Sequence, residues 1–290
     1  MPTRSFRQVL ADRKPLILFG AYDALSARLI EASGGEAVFI SGFSVVGARY
    51  GVPDFGLRAF GDIAAAVRDT LNAIDIPALV DADDGYGDVK NVIHTVQSYE
   101  RMGVSALMLE DQRWPKRCGH MAGKAVVPLD EIVAKIKAAC SERVNRETFI
   151  FARTDARAVN GLDDAMRRGE ALLNAGADGL FIEAPESLDE FEAIGRRFDV
   201  PMIANPLPGG KSPLLRPEHY AELGFQVVCY GVTPIMFAAG AIRDRISDIT
   251  SGRFALDQQE MSFAEFKQLV GLPRWERYED LYGAARESAQ

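Results

Sequence analysis

Between Glu110 and Lys124 the chain reads EDQRWPKRCGHMAGK, directly after the apolar run VSALML. Cys118 follows Lys116 and Arg117 and precedes His120, in a charged loop punctuated by glycine. Neighbouring positive charge is expected to lower the thiol pKa and to ready Cys118 for proton transfer or nucleophilic attack. Cys140, in a helical stretch, and Cys229, inside an apolar run, read as packing residues. Three cysteines, odd in number and far apart, fit reduced thiols rather than a disulfide framework or a zinc site.

A second cluster is DADDGYG at 81–87. On a strand, Asp81 and Asp83 would point to one face, and the Gly-Tyr-Gly that follows permits a tight turn. Paired carboxylates suit Mg²⁺, a small hard cation that keeps several waters; the alternative is a solvated Asp-Gly turn. Glu110 at the end of the next strand would bring a third carboxylate to that corner. With no thiol or imidazole set suited to zinc, Mg²⁺ or Mn²⁺ is the expected ion. Arg153, ending the run FIFART, has the fork geometry for a substrate carboxylate, or else bridges internally to Glu183 or Asp155. His94 and His219 fall in helical stretches and read as surface or packing residues.

Eight β-type runs must position these groups: LILFG (16–20), AVFISG (37–42), PALVDAD (77–83), SALMLED (105–111), FIFART (149–154), GLFIEA (179–184), PMIAN (201–205) and QVVCYG (226–231). Amphipathic stretches of helical period lie between them, several opened by Asp and closed by Gly. Continuous apolar strands alternating with helices imply a parallel sheet buried on both faces, and eight repeats close a (β/α)8 barrel of the TIM type. A doubly wound open sheet is the alternative, although its glycine fingerprint is missing. In such a barrel the site lies at the C-terminal ends of the strands, where strands two to seven deliver Ser41-Gly42, Asp81, Asp83, Glu110-Asp111, Arg153-Thr154-Asp155, Glu183 and Asn205.

The barrel is expected over residues 1–250, with 251–290 as a C-terminal helical extension of the same domain. Phe263, Phe266, Leu269, Trp275, Tyr278 and Leu281 in that extension need a surface to cover, on their own barrel or on a neighbouring subunit. The 33 Lys and Arg are dispersed among 41 Asp and Glu, for a net charge of -8, which argues against a nucleic-acid partner. An anionic substrate remains compatible, because a few cations in a cleft set the local potential. Lacking a signal-like N-terminus or a run of about 18 apolar residues, the chain is expected to be soluble and cytoplasmic, with no membrane partner.

SGF (41–43), GVPD (51–54), DADDGYG (81–87), EDQRWPKRCGH (110–120), ARTDA (152–156), FIEAP (181–185) and NPLPGGKSP (205–213) together resemble the isocitrate lyase and phosphoenolpyruvate mutase superfamily. Lys-Arg-Cys-Gly-His resembles its lyase branch, the group of 2-methylisocitrate lyase, dimethylmalate lyase and petal death protein. The resemblance implies that Asp83 contacts Mg²⁺ while Asp54, Asp81 and Glu110 hold metal-bound waters. It implies that Ser41, Gly42 and Phe43 grip the oxo-acid end of a substrate, that Tyr22 faces the site, and that Arg153 clamps a carboxylate. His120, Glu183 and Asn205 would line the remaining pocket, with Cys118 as the acid on a mobile gating loop at about 114–127. The implied reaction cleaves a 2-hydroxy dicarboxylate, a substituted malate or methylisocitrate, into a 2-oxo acid and a carboxylate. Oxaloacetate hydrolysis or decarboxylation, or phosphonopyruvate chemistry, is the alternative on the same scaffold, and a non-enzymatic binding barrel is the last. The resemblance also implies a homotetramer whose C-terminal helices swap between subunits. Asp84, Pro208 and Gly231 depart from the family pattern, beside the metal and in the pocket for the variable end of the substrate.

Overall fold

Short runs of Val, Ile, Leu, Ala and Phe form eight parallel strands: β1 (Leu16–Ala21), β2 (Val38–Ile40), β3 (Ala78–Asp81), β4 (Ala106–Glu110), β5 (Phe149–Thr154), β6 (Gly179–Ile182), β7 (Ile203–Ala204) and β8 (Val227–Tyr230). The structure, a computed structural model, describes residues 2–12, 15–253 and 260–283. The hydrogen-bonded order is β6-β5-β4-β3-β2-β1-β8-β7, and a parallel bridge between Leu180 and Met202 joins the two ends. The sheet therefore closes into a (β/α)8 barrel, and each expected strand run contains its observed strand except the first, where β1 extends one residue further, to Ala21. Register places Glu110 beside Arg153, so these two side chains reach the rim together.

The helices alternate with the strands as the 3.6-residue period requires. They are α1 (Phe6–Asp12), α2 (Ala24–Ala32), α3 (Gly42–Tyr50), α4 (Phe60–Leu71), α5 (Val89–Met102), α6 (Leu129–Glu142), α7 (Ala156–Asn160), α8 (Leu162–Asn174), α9 (Leu188–Arg197), α10 (Pro217–Glu222), α11 (Thr233–Thr250), α12 (Phe263–Leu269) and α13 (Leu272–Tyr282). Asp23 caps α2 and Asp88 caps α5 by accepting hydrogen bonds from first-turn amides, and Gly103 ends α5 in the left-handed region. These are the Asp-opened, Gly-closed helices legible in the sequence. Among the described residues no helix is long and apolar enough to cross a membrane.

Alternate strand residues fill the barrel interior, among them Leu16, Leu18, Phe39, Leu79, Met108, Phe151, Phe181 and Val227, all buried. Helix α1 adds Phe6, Val9 and Leu10 to this cluster, with the Phe6 ring edge-on to Phe151 at 6.0 Å. That end is thus sealed by apolar packing, and the polar rim lies at the other, as the barrel geometry demands.

The chain divides into two compact units, Met1–Ala238 and Ala239–Gln290. In the second, Ser262 and Glu265 form a capping box on α12 and Arg245 pairs with Glu260 at 2.7 Å. No residue of α11, α12 or α13 is buried, and Phe263, Trp275 and Leu281 are exposed. The sequence pattern expected past Tyr282 runs into residues 284–290, which lie outside the described residues.

Candidate active site

The C-terminal strand ends enclose a cavity of about 60 Å³, with loop residues Lys116 to His120 as one wall. Ser41, Phe43, Asp54, Asp81, Glu110, Cys118, His120, Arg153, Glu183 and Asn205 all line it. Gly42 and Asp83 lie directly behind. A Cβ on Gly42 would stand 3.0 Å from Asp81 Oδ2, and Asp83 faces Lys116 instead of open space. Tyr22 does not line the cavity; it is half-buried, and its amide donates to Ser26 Oγ at 3.0 Å.

One side of the cavity is an acidic cradle. β3 ends at Asp81, and Asp83 stands beyond it with a φ of 47°. A turn in the left-handed region, which Asp tolerates, brings the two carboxylates together, so strand alternation is not the cause. The Asp83 amide donates to Asp81 Oδ1 at 3.2 Å, and the Glu110 amide donates to the Asp83 carbonyl at 2.8 Å. Lys116 places its ammonium in the cradle, 2.7 Å from Asp54 Oδ1 and 2.6 Å from Asp83 Oδ1. The second contact has an ion-pair distance but misses the angle of a directed hydrogen bond.

Negative charge is still in excess there. Burial pushes the Asp83 carboxyl up to about 7; Lys116 opposes this, while Asp81 and Asp54 reinforce it. Burial likewise raises Glu110 well above the carboxylate range against the pull of Arg153, and its Oε1 is buried with no hydrogen-bond donor. Four hard oxygen donors, an orphaned carboxylate oxygen and an ammonium standing in for a cation fit a small divalent metal ion. Among the described residues no three acidic, His or Cys side chains sit closely enough to ligate one ion directly. The cradle therefore fits an ion touched by few carboxylates and held to the others through water.

The opposite side is cationic. Arg153 Nε donates to Asp155 Oδ2 at 2.9 Å and Nη2 to Asp155 Oδ1 at 3.2 Å, with Glu110 and Glu183 each 3.4 Å away. The internal bridge weighed from sequence thus exists, to both candidate partners. Nη1 has no hydrogen-bond partner among the described residues and remains available to a ligand. Burial disfavours ionised Glu183, but Arg153, His120 and Lys124 outweigh it and hold that carboxyl down to about 2. His120 Nδ1 accepts from the Lys211 amide at 3.4 Å, and Nε2 lies 3.0 Å from Glu183 Oε1 and 3.3 Å from Asn205 Nδ2.

Cys118 departs from expectation. Burial raises its thiol above the ordinary value, and Glu183 and Asp54 add to the rise against the His120 amide and Arg153. The flanking Lys116 is committed to the cradle, and the Arg117 side chain turns to the Ala122 carbonyl. The charges adjacent in sequence are therefore not the field the sulfur feels. A protonated thiol in a cavity is a proton donor before it is a nucleophile.

With this geometry in view, a family model described as phosphoenolpyruvate phosphomutase matches residues 6–250. The chain belongs to the phosphoenolpyruvate phosphomutase family. Within it, 2,3-dimethylmalate lyase of Eubacterium barkeri is 38% identical over 285 residues, 97% of this chain and 98% of that one. A solved structure of oxaloacetate acetylhydrolase with 3,3-difluorooxalacetate matches with a TM-score of 0.91 and 27% identity, covering 97% of both chains. Phosphonopyruvate hydrolase in complex with oxalate and Mg²⁺ matches at 0.84 with 30% identity, covering 95% of this chain and 97% of that one. The named relatives are enzymes, and so is this member of the phosphomutase family.

The three departures from the family pattern have separate accounts. Asp84 is neutralised by Lys135 of α6, whose buried ammonium lies 3.3 Å from both Asp84 Oδ2 and the Asp84 carbonyl. Gly231 packs tightly: a Cβ there would stand 3.1 Å from the Phe39 ring, and its carbonyl, which accepts from Ser44 Oγ at 3.1 Å, approaches Gly20 so closely that position 20 admits only glycine. Pro208 is exposed and does not line the cavity, whereas its neighbour Leu207 does. Lys116 and Lys124 belong to the site although the sequence does not single them out as site residues. Their only signal is polarity next to an apolar strand or a glycine, which many solvated residues share.

Proposed function

We propose that the protein is a Mg²⁺-dependent carbon–carbon lyase that cleaves a 2-hydroxy dicarboxylate of substituted-malate or methylisocitrate type into a 2-oxo acid and a carboxylate. The observation that carries this reading is the protonated Cys118 thiol, set in the cavity with Arg153 and facing an acidic cradle. When bound, Mg²⁺ would supply Lewis-acid stabilisation of the oxygen on which charge develops, held by Asp83 with Asp54, Asp81 and Glu110. Ser41 and the first-turn amides of α3 at Gly42 and Phe43, which lack intrahelical acceptors, suit the oxo-acid end. Arg153 holds the carboxylate of the departing fragment through Nη1, and Asn205 and His120 fix its other oxygen atoms. As the C2–C3 bond breaks, the hydroxyl proton passes to a carboxylate of the acidic cradle and its oxygen becomes the carbonyl of the 2-oxo acid. The bond's electron pair moves onto the leaving carbon, which takes its proton from Cys118. The loop wall excludes water, which would otherwise protonate that carbon.

Similarity to oxaloacetate acetylhydrolase supports a second reading, hydrolysis of oxaloacetate in the same cavity. Incubation with Mg²⁺ and a panel of substituted malates, methylisocitrate, oxaloacetate and phosphonopyruvate, with products identified by mass, separates the two. Turnover undiminished after exhaustive chelation would refute the metal requirement. We also propose a cytoplasmic homotetramer in which C-terminal helices swap between barrels. The wholly unburied α11 supports it, as do the exposed Phe19 on β1 and Phe263 and Trp275 beyond the barrel. Sedimentation as a monomer at micromolar concentration would overturn this.

A further inference from the structure

Lys124 lies at the far end of the loop that carries Cys118, and no step above uses it. Its side chain is nonetheless 2% exposed, and its ammonium donates to Asp155 Oδ1 at 2.6 Å and to the Gly119 carbonyl. Asp155 is fully buried and is itself fixed by its amide, which donates to Asp111 Oδ1 at 2.8 Å. Asp155 Oδ1 is also the acceptor of Arg153 Nη2. One carboxylate oxygen is therefore shared by the loop's ammonium and the guanidinium on β5.

That sharing has an electrostatic consequence. Alone, Asp155 would satisfy Arg153 in a bidentate pair and cancel most of its charge. With Lys124 drawing on the same oxygen, Asp155 cancels less of the guanidinium charge, which also faces Glu183 at 3.4 Å, so Arg153 attracts an incoming carboxylate more strongly than it would without Lys124. The Gly119 carbonyl held by Lys124 belongs to the segment whose backbone presses on Arg153, since a Cβ there would lie 2.5 Å from Nη2. Lys124 thus contacts the acid-bearing segment and the partner of the clamp at once, and does so only while the loop is in place.

We infer that Lys124 is a positioning residue that couples placement of the Cys118 loop to the strength of the Arg153 carboxylate clamp. The inference rests on the reading of Arg153 as that clamp. Coupling is reciprocal: a carboxylate bound at Arg153 favours the Lys124 contact, and the Lys124 contact favours carboxylate binding.

The test uses the full-length enzyme with Mg²⁺, malonate as the carboxylate probe, calorimetry for affinity, and iodoacetamide labelling of Cys118 read by mass spectrometry. Lys124→Met should weaken malonate binding about 5- to 150-fold, the usual span of a coupling between two sites, and should abolish malonate's protection of Cys118. Lys124→Gln, which keeps a donor for the Gly119 carbonyl but has no charge, should lose as much, and serves if the Met variant does not fold. Wild-type affinity and protection in a folded variant, whatever its melting temperature, would overturn the inference and leave Lys124 a structural residue. Arg153→Met is the control. Unchanged malonate affinity there would refute the clamp reading and the inference with it, whereas loss there with none in the Lys124 variants would sink the inference alone.

Discussion

Replacing Gly119 by alanine should disable the enzyme while leaving the barrel folded. The added Cβ would stand 2.5 Å from Arg153 Nη2, 2.5 Å from Glu183 Cδ and 2.8 Å from Glu183 Cγ. Carbon contacts settle at about 3.5–4.0 Å, so something must retreat by roughly 1 Å. Arg153 is fixed by its two hydrogen bonds to Asp155, and Glu183 is 1% exposed, so neither neighbour yields cheaply. The loop is the softer partner and carries Cys118 away with it. A misplacement of about 1 Å costs about 10²-fold in rate, which corresponds to about 2.7 kcal/mol of transition-state stabilisation. Gly119 does not occupy the left-handed region, so alanine adds no backbone strain, and thermal denaturation should move by no more than a few degrees. The assay is kcat/KM with Mg²⁺ on the best substrate of the malate panel, beside a melting curve. Activity within threefold of wild type would refute the reasoning that this backbone must press against Arg153 and Glu183.

Cys118→Ser should keep ligand and metal affinity, measured by calorimetry, and lose about 10²–10⁴-fold in kcat, because a hydroxyl is a far weaker acid than a thiol; turnover within a few-fold of wild type would remove Cys118 from the reaction. Lys135→Met should destabilise the fold by about 3–5 kcal/mol in urea unfolding, since it strands the buried Asp84 carboxylate, and Asp84→Asn in the same chain should recover much of that loss. Glu183 has a folded pKa of about 2, below its unfolded value. The stability it contributes is thus complete above the unfolded carboxylate pKa of about 4.3 and is lost as pH falls toward 2, so Glu183→Gln should flatten the acid limb of the melting-temperature profile. An unchanged acid limb would show that Glu183 is not held ionised in the fold.

Strand runs, caps and the barrel were legible in the sequence because they depend on neighbours within a few residues: side-chain period, an Asp before a first turn, a Gly after a last one. So was the rim, since a polar residue ending an apolar strand must face the one open end. Spacing anticipated the pairing of Asp81 with Asp83 but gave the wrong cause, since a left-handed turn at Asp83, not strand alternation, brings the two together. It misled at Cys118, where two cations adjacent in sequence raised the expectation of an acidic thiol. Folding sends Lys116 into the carboxylate cradle, partly buries the sulfur within the field of Glu183, and reverses the direction of the shift. The partners of Arg153, the pairing of Asp84 with Lys135 and the reach of Lys124 to Asp155 likewise exist only in the closed barrel. A carboxyl or thiol pKa is set by burial and by the field of every charge within several ångströms, and chain order does not specify those distances.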